Sequence, residues 1–550
     1  MELNRHPVRV LFILLPVVGA LILDFSFRLY RRRIRFKDLP KPPHSFLWGH
    51  LKLMGEVASL FPPNCHPQIY ITHISQKYDL KGVFYLDLWP LADPQVVLTE
   101  PDLMDAVQVT RVFNQHRIAQ ELLGGIIGVD VVATANGPVW KKLHNAIAPG
   151  LLPSHVRTLT GVMVDEMLIF RERLKELAKS GTTFSLEHEI SKPLFDIIGR
   201  IVFNFPLHAQ TKGSVYLDNL REIIQLVNEQ LSNPMNPFVG LKVMWKKSAA
   251  RKRVDEAVTK KILERLAALR NENIVVSRKD PLSILDLMLR ETVQQNGSLK
   301  GAKATELPPD ELRLLVTNVE GLLLGGMGTS VDSLCYLHML MSKHPEVVRK
   351  MCEEHDRVFG KDLETTLEMI KDSPIKLNEL EYTTSVMKES MRLFPIGFGV
   401  KEAPAGATVS HKGREYPVDD LVVVPAWHTM HFDPRYFPEP DSFKPERFLG
   451  EGVPRGWFRT FSRGPRACLG QDLAIDNIRV ILLLTVRDFD FQCADIWPNP
   501  KPKSTFMNLD TVYGDIVFPE VAMEAKPRGG MMMTVSERKN KSQGYKASVC

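Results

Sequence analysis

The chain has 550 residues, 44% of them hydrophobic, and 70 Lys/Arg against 64 Asp/Glu give it a formal net charge of +6. That excess sits at the ends: residues 1–40 carry eight Lys/Arg against three Asp/Glu, and residues 526–550 carry six against one. The long body between them is acidic and large enough for a sizeable core, so the basic balance gives no argument for nucleic acid, and none is expected as a partner. The six cysteines are scattered with no Cys-x-x-Cys pair, which removes zinc-ribbon and dithiol redox motifs and suits a reducing compartment.

Residues 10–23 form an apolar run broken only by Pro16 and Gly19, and Phe25 and Phe27 extend it past Asp24. Crossing a bilayer takes about 20 residues, so the run is short but workable. Arg28, Arg31, Arg32, Arg33 and Arg35 follow at once, a cluster that the positive-inside rule keeps cytosolic, although Arg5 and Arg9 reduce the asymmetry. Residues 1–38 are therefore expected to be a membrane anchor with a basic flank. A cleaved signal peptide is the alternative, and the dense basic block argues against it. Residues 39–44, with Pro40, Pro42 and Pro43, read as a stiff hinge.

Residues 83–88 and 95–98 read as short strands, and helical patterns dominate from Met104. Trp140-Lys-Lys-Leu-His144 lies in one such amphipathic pattern. Residues 238–247 place apolar and aromatic side chains ahead of cations, which suits either a segment dipping into a membrane or a buried helix start. Residues 310–342 predict a helix about 50 Å long, opened by Pro308-Pro309 with Asp310 as a candidate cap. Its middle holds Gly325-Gly326-Met-Gly328-Thr329-Ser330; glycines are unfavourable there, so something should require them. Glu389 and Arg392, at i and i+3, can pair on one helical face. Arg447 follows in Pro445-Glu-Arg-Phe448, and Lys401 lies between them. Residues 408–410 and 414–416 suggest a hairpin, and 421–425 a buried stretch. From Lys526 the chain turns basic and polar, and residues 526–550 are expected to be a disordered tail.

The segment Phe461-Ser-Arg-Gly464-Pro-Arg466-Ala-Cys468-Leu-Gly470 is the most informative. A thiolate there would sit near a helix N-terminus, which lowers its pKa. Gly464 supplies a turn, and Gly470 lets backbone approach something large and flat. Arg466 offers a fixed cation to a carboxylate, and Phe461 can shield the sulfur. Arg455, Arg459, Arg463 and Arg466 crowd the segment with no acid between them.

This segment resembles the haem-binding loop of the cytochrome P-450 family, Phe-x-x-Gly-x-Arg-x-Cys-x-Gly, with every fixed position filled. The resemblance implies a mainly α fold with a minor β region over roughly residues 45–525, behind an N-terminal transmembrane helix. It implies haem b with Cys468 as axial thiolate and metal ligand, and Phe461 and Gly470 beside it. Arg466, Trp140, His144 (where the family has arginine) and Lys401 would face the propionates. Arg447 would lock the Glu389–Arg392 pair. Gly326, Thr329 and Ser330 match the family's catalytic helix, but Gly328 stands where the family has an acid that, with the threonine, relays protons to dioxygen. Glu320 and Asp332 are too far along the helix to replace it by spacing, which leaves ordered water or a substrate hydroxyl.

With no flavin or NADPH fingerprint in the chain, electrons would come from NADPH through a separate NADPH–cytochrome reductase, steered by the arginine patch. The expected function is monooxygenation of a lipophilic small molecule, because residues 124–132 and 396–400 are apolar at substrate-contacting positions of the family. The expected setting is the endoplasmic reticulum membrane, single-pass, with the catalytic domain cytosolic. The proline hinge and the Phe-Lys-Pro-Glu-Arg-Phe run look most like fungal members, many of which oxidise polyketides or terpenoids. A haem-thiolate isomerase or dehydratase, or a non-catalytic haem- or lipophile-binding membrane protein, remain as alternatives.

Overall fold

A 33-residue helix, Pro309–Met341, runs through the middle of the computed structural model, which describes residues 6–233, 236–271, 276–277, 283–296, 307–522 and 524–538. Pro308 takes the cap position and Asp310 falls in the first turn instead, where a carboxylate still favours the helix dipole. Every residue from Ser330 to Met341 is buried, as a helix that is apolar all round must be. Among the described residues this helix is long and apolar enough to cross a membrane, and 67% of the qualifying window is buried inside the protein.

The strands are few and short. A mixed five-stranded sheet has the order β1-β2-β8-β5-β3, formed by β1 (Val83–Leu86), β2 (Gln95–Leu98), β3 (Asn114–Gln115), β5 (Lys401–Glu402) and β8 (Val422–Pro425). Only β2 and β8 pair in parallel, with Val96 opposite Val423. The expected hairpin is β6 (Thr408–His411) with β7 (Arg414–Pro417). A three-stranded sheet has β12 (Met532–Glu537) between β4 (Phe184–Ser185) and β9 (Phe489–Cys493). The hairpin of β10 (Glu520–Val521) and β11 (Ala525–Lys526) completes the set among the described residues.

Two expectations change here. Residues 526–538 are not a disordered tail: β12 is the central strand of its sheet, with Met533 and Val535 buried and Met533 opposite both Phe184 and Cys493. The alternation Met531, Met533, Val535 is a strand signal that the basic composition hid. Residues 539–550 lie outside the described part.

The basic flank and hinge are also clamped to the body. The helix His6–Arg35 runs unbroken through Pro16, and Leu21, Leu23 and Phe27 on it are exposed. At its end Arg33 is buried and ion-paired with Asp87, and its Nε donates to Phe46 O at 2.8 Å. Arg35 donates to Asp419 O at 2.6 Å. In the hinge, Pro40 O accepts from Tyr85 N at 2.9 Å, which ties the proline segment to β1.

Candidate active site

The cysteine loop is built by short-range closure. Gly464 has φ +78°, and a Cβ there would collide with Gln108 O. Cys468 N donates to Phe461 O at 2.9 Å, closing the loop back on itself, and the helix Gln471–Thr485 starts directly after Gly470. The Cys468 side chain is open to space although protein surrounds it on most sides, as befits a residue facing an internal cleft. A Cβ on Gly470 would meet nothing within 4 Å. Burial pushes the Cys468 thiol above its ordinary value, and the Gly470 N–H only partly offsets this. The expected lowering by the helix terminus is thus outweighed by desolvation.

The arginine patch does not stand as expected. Arg459 is fully buried and donates to Asp105 Oδ1 at 3.0 Å, while Arg463 donates to Asp105 Oδ2 at 2.6 Å. Sequence alone showed no acid among these arginines because Asp105 arrives from far up the chain. Arg455 stays exposed.

Arg466 and Lys401 lie close together. The Arg466 guanidinium lies 4.0 Å from the Trp140 ring centroid and donates to Ala135 O at 2.8 Å and Asn136 Oδ1 at 3.1 Å. The His144 ring is 5.0 Å from that of Trp140. Lys401 is buried and donates to Gln115 Oε1 at 3.2 Å. Among the described residues neither cation has a carboxylate partner. Burial pushes Arg466 down to about 10, and burial with the neighbouring Arg466 charge pushes Lys401 down to about 8. A thiol two residues from Arg466, with Lys401 close to that arginine and neither cation held by a carboxylate, fits a planar group bearing two carboxylates, which is what haem offers.

On the central helix the four-residue glycine segment divides its work. Gly325 is exposed, a Cβ on it would meet nothing within 4 Å, and the helix runs unbroken through it, so the expected opening of the helix is not seen. Gly326 is a packing glycine instead, since its Cβ would lie 2.6 Å from Ile198 Cδ1 on the helix Leu186–Phe203. Thr329 Oγ1 donates to Gly325 O at 3.0 Å, and buried Ser330 donates to Gly326 O at 3.4 Å. At Gly328 a Cβ would meet Glu524 Oε1 at 2.9 Å. Glu524 was missed by sequence reasoning; the one available signal was a lone acid in the apolar run Val521-Ala-Met-Glu-Ala.

An apolar cavity of about 320 Å³ is lined by Ile71, Leu122, Phe398, Val400, Trp427 and Val521, among others. Phe398, Gly399 and Val400 of the segment 396–400 line this cavity. Ile126, Ile127 and Val131 of the other segment are buried in the core, and Val132 N donates to Asn318 Oδ1 of the central helix at 2.8 Å.

Glu389 and Arg392 are wholly buried rather than a solvated pair. Arg392 donates from Nε to Glu389 Oε2 at 2.8 Å and from Nη2 to Oε1 at 2.9 Å, and Arg447 Nε donates to the same Oε1 at 2.9 Å.

Comparison with known proteins agrees with this geometry. Residues 40–513 match the family model described as Cytochrome P-450. The chain is 30% identical over 508 residues to cytochrome P-450 monooxygenase acrF of Aspergillus aculeatus, across 87% of this chain and 99% of that protein. It is 27% identical over 514 residues to cytochrome P-450 monooxygenase polC of Polytolypa hystricis, across 89% of this chain and 88% of the other. The crystal structure of the cytochrome P-450DA heme domain superposes with a TM-score of 0.70 at 18% identity, over 91% of this chain and 97% of that one, which establishes the fold. By its cysteine loop, its fold and these relatives, the chain belongs to the cytochrome P-450 family.

Proposed function

We propose that this cytochrome P-450 monooxygenase inserts one oxygen atom from dioxygen into a lipophilic small molecule of secondary metabolism at the endoplasmic reticulum membrane. The observation that carries the reading is the exposed Cys468 thiol in one loop with Arg466, which together with nearby Lys401 lacks a carboxylate partner. When bound, haem supplies dioxygen activation and attack on unactivated C–H bonds, with electrons from NADPH through a separate reductase. The chain's own groups hold and aim. Cys468 ligates; Arg466 and Lys401 neutralise the carboxylates; Trp140 fixes Arg466 by stacking; His144 adds a donor. Phe461 keeps water from the sulfur. Thr329, bonded to Gly325 O, keeps its oxygen lone pairs free to accept a proton carrier. The apolar cavity excludes water and favours a lipophilic substrate.

The fungal monooxygenases among the relatives support a place in secondary metabolism. Two features support the membrane setting. The helix His6–Arg35 exposes Leu21, Leu23 and Phe27, and the helix Pro237–Asn271 begins with Phe238, Leu241, Met244 and Trp245, all exposed. That exposure disfavours a buried helix start there and matches an apolar face dipping into lipid. For the reductase, a groove beside the cysteine loop is lined by exposed Arg455, by Lys388 and by the Asp105-paired Arg463, with Glu451 as its acid, a net basic face for an acidic partner.

Isotopically labelled dioxygen tests the reaction class. Labelled oxygen is expected in the product formed when the protein is present and missing when its gene is deleted. A rearranged or dehydrated product without label would select the isomerase or dehydratase reading instead.

A further inference from the structure

We propose that Glu524, on the turn between β10 and β11, is the acid that delivers protons to the dioxygen-consuming site, occupying the space left by Gly328 on the central helix. This rests on the monooxygenase reading above.

Inserting one oxygen atom and reducing the other to water consumes two electrons and two protons; the reductase supplies the electrons, and the protons must enter a cleft with apolar walls. Glu524 Oε1 lies 2.9 Å from where a Cβ of Gly328 would be, so its carboxyl fills the volume of the absent side chain, next in sequence to Thr329. The turn is held there: Ala525 N donates to Ile396 O at 3.0 Å, and Ala522 N to Glu524 O at 3.1 Å. The hairpin also contributes Val521 and Ala522 to the apolar cavity.

Behind Glu524 stands a supply of protons. Asp332 follows Gly328 by one helical turn, is 3% exposed, and its Oδ2 has no hydrogen-bond partner. Two carboxyls brought together away from water hold one proton between them. Burial and the facing Glu524 charge push the Asp332 carboxyl well up, so the pair stores a proton that can pass from Asp332 to Glu524. Burial pushes Glu524 up to about 7, held back by Lys526 and by the Asp332 hydrogen bond and raised further by Glu187. Lys526 Nζ pairs with Glu187 Oε1 at 2.7 Å, their side chains 22% and 25% exposed, on the side of the cluster nearer to solvent. Asp332, Lys526 and Glu187 are the charged groups facing Glu524 from the central helix, β11 and the helix Leu186–Phe203. The other carboxyl in the middle of the central helix, Glu320, is engaged with Asp255 instead. In each transfer the Asp332 O–H bond breaks as the shared proton passes to Glu524, and the new Glu524 O–H bond breaks as that proton is delivered past Gly328. Solvent then returns one proton to Asp332 past the Lys526–Glu187 pair, leaving the cluster unchanged.

The test uses the full-length holoenzyme and the variants E524Q, E524D and G328A. The first readout needs no turnover. An acid raised from 4.5 to about 7 favours the folded state fully below pH 4.5, and that contribution is lost as pH rises through 7. The stability of the wild type relative to E524Q should therefore fall as pH rises from 4 through 7. The second readout is labelled product per NADPH. E524Q should lose roughly tenfold or more, with the electrons recovered as hydrogen peroxide, and E524D should restore part of it. G328A retains every carboxyl but displaces Glu524, and should uncouple as well, which keeps the test alive if E524Q does not fold. Unchanged coupling in E524Q or in G328A, or a flat stability difference, overturns the proposal alone. Absence of labelled product from the wild type overturns the monooxygenase reading, and this proposal with it.

Discussion

Replacing Glu389 by glutamine should uncouple haem retention from the rest of the fold. Glu389 is 0% exposed and accepts four hydrogen bonds, from Arg392 Nε and Nη2, Arg447 Nε and Lys444 N. Glutamine keeps the shape but leaves Arg392, also 0% exposed, without its counter-charge. Breaking a buried pair from one side costs about 3–5 kcal/mol. Arg392 still donates to His431 O and Pro440 O, both at 2.8 Å, so the loss should fall near the lower bound, about 3 kcal/mol. The strain reaches the cysteine loop by a defined route. Burial pushes His431 down to about 3, so it stays neutral; its Nδ1–H donates to Arg392 O at 3.1 Å, and its Nε2 accepts from Arg459 N at 3.3 Å. Arg459 lies in the segment leading to Cys468. Equilibrium urea unfolding followed by tryptophan fluorescence, with haem absorbance read in parallel, measures both effects. Haem release should come at lower urea than global unfolding in E389Q and coincide with it in the wild type. A loss under 1 kcal/mol with coincident transitions would show that the pair does not support the loop.

Two further outcomes are expected. Arg33→Ala leaves buried Asp87 with His44 Nε2, at 3.1 Å, as its remaining side-chain partner, and should loosen the stem by about 3 kcal/mol; limited trypsin digestion should then cut between Arg31 and Lys37 while sparing the body, and an unaltered digestion pattern would refute the clamp. In lipid nanodiscs, residues 237–247 should be protected from hydrogen exchange relative to detergent, because each buried aromatic side chain contributes about 1.5–3 kcal/mol; the double variant F238E/W245E should lose that protection, and a wild type showing none would remove the second membrane contact.

Much of the site was legible because its motifs are local. Cys468, Arg466, Gly464 and Phe461 lie within one loop whose geometry is closed by a bond between Cys468 N and Phe461 O. Glu389 and Arg392 share a helical face by spacing alone, and the central helix announced itself by its length and its glycines. What was misread depended on partners distant in the chain. The arginines near Cys468 looked unpaired until Asp105 was brought beside Arg459, 354 residues away. The C-terminal segment looked like a tail because a six-residue strand has little signal until β4 and β9 flank it. Gly325 and Gly326 are equivalent in sequence, and only the packing of Ile198 decides which one is filled.

The sequence by itself determined the chemistry class, because a thiolate ligand, its loop and its buried ion pair are each specified by residues a few positions apart. The tertiary structure decided how charge is balanced and where protons can come from. A carboxyl from the C-terminal hairpin meets a glycine nearly two hundred residues earlier in the chain. Such a pairing has no periodicity or spacing to betray it, since long-range contacts are set by how whole elements pack.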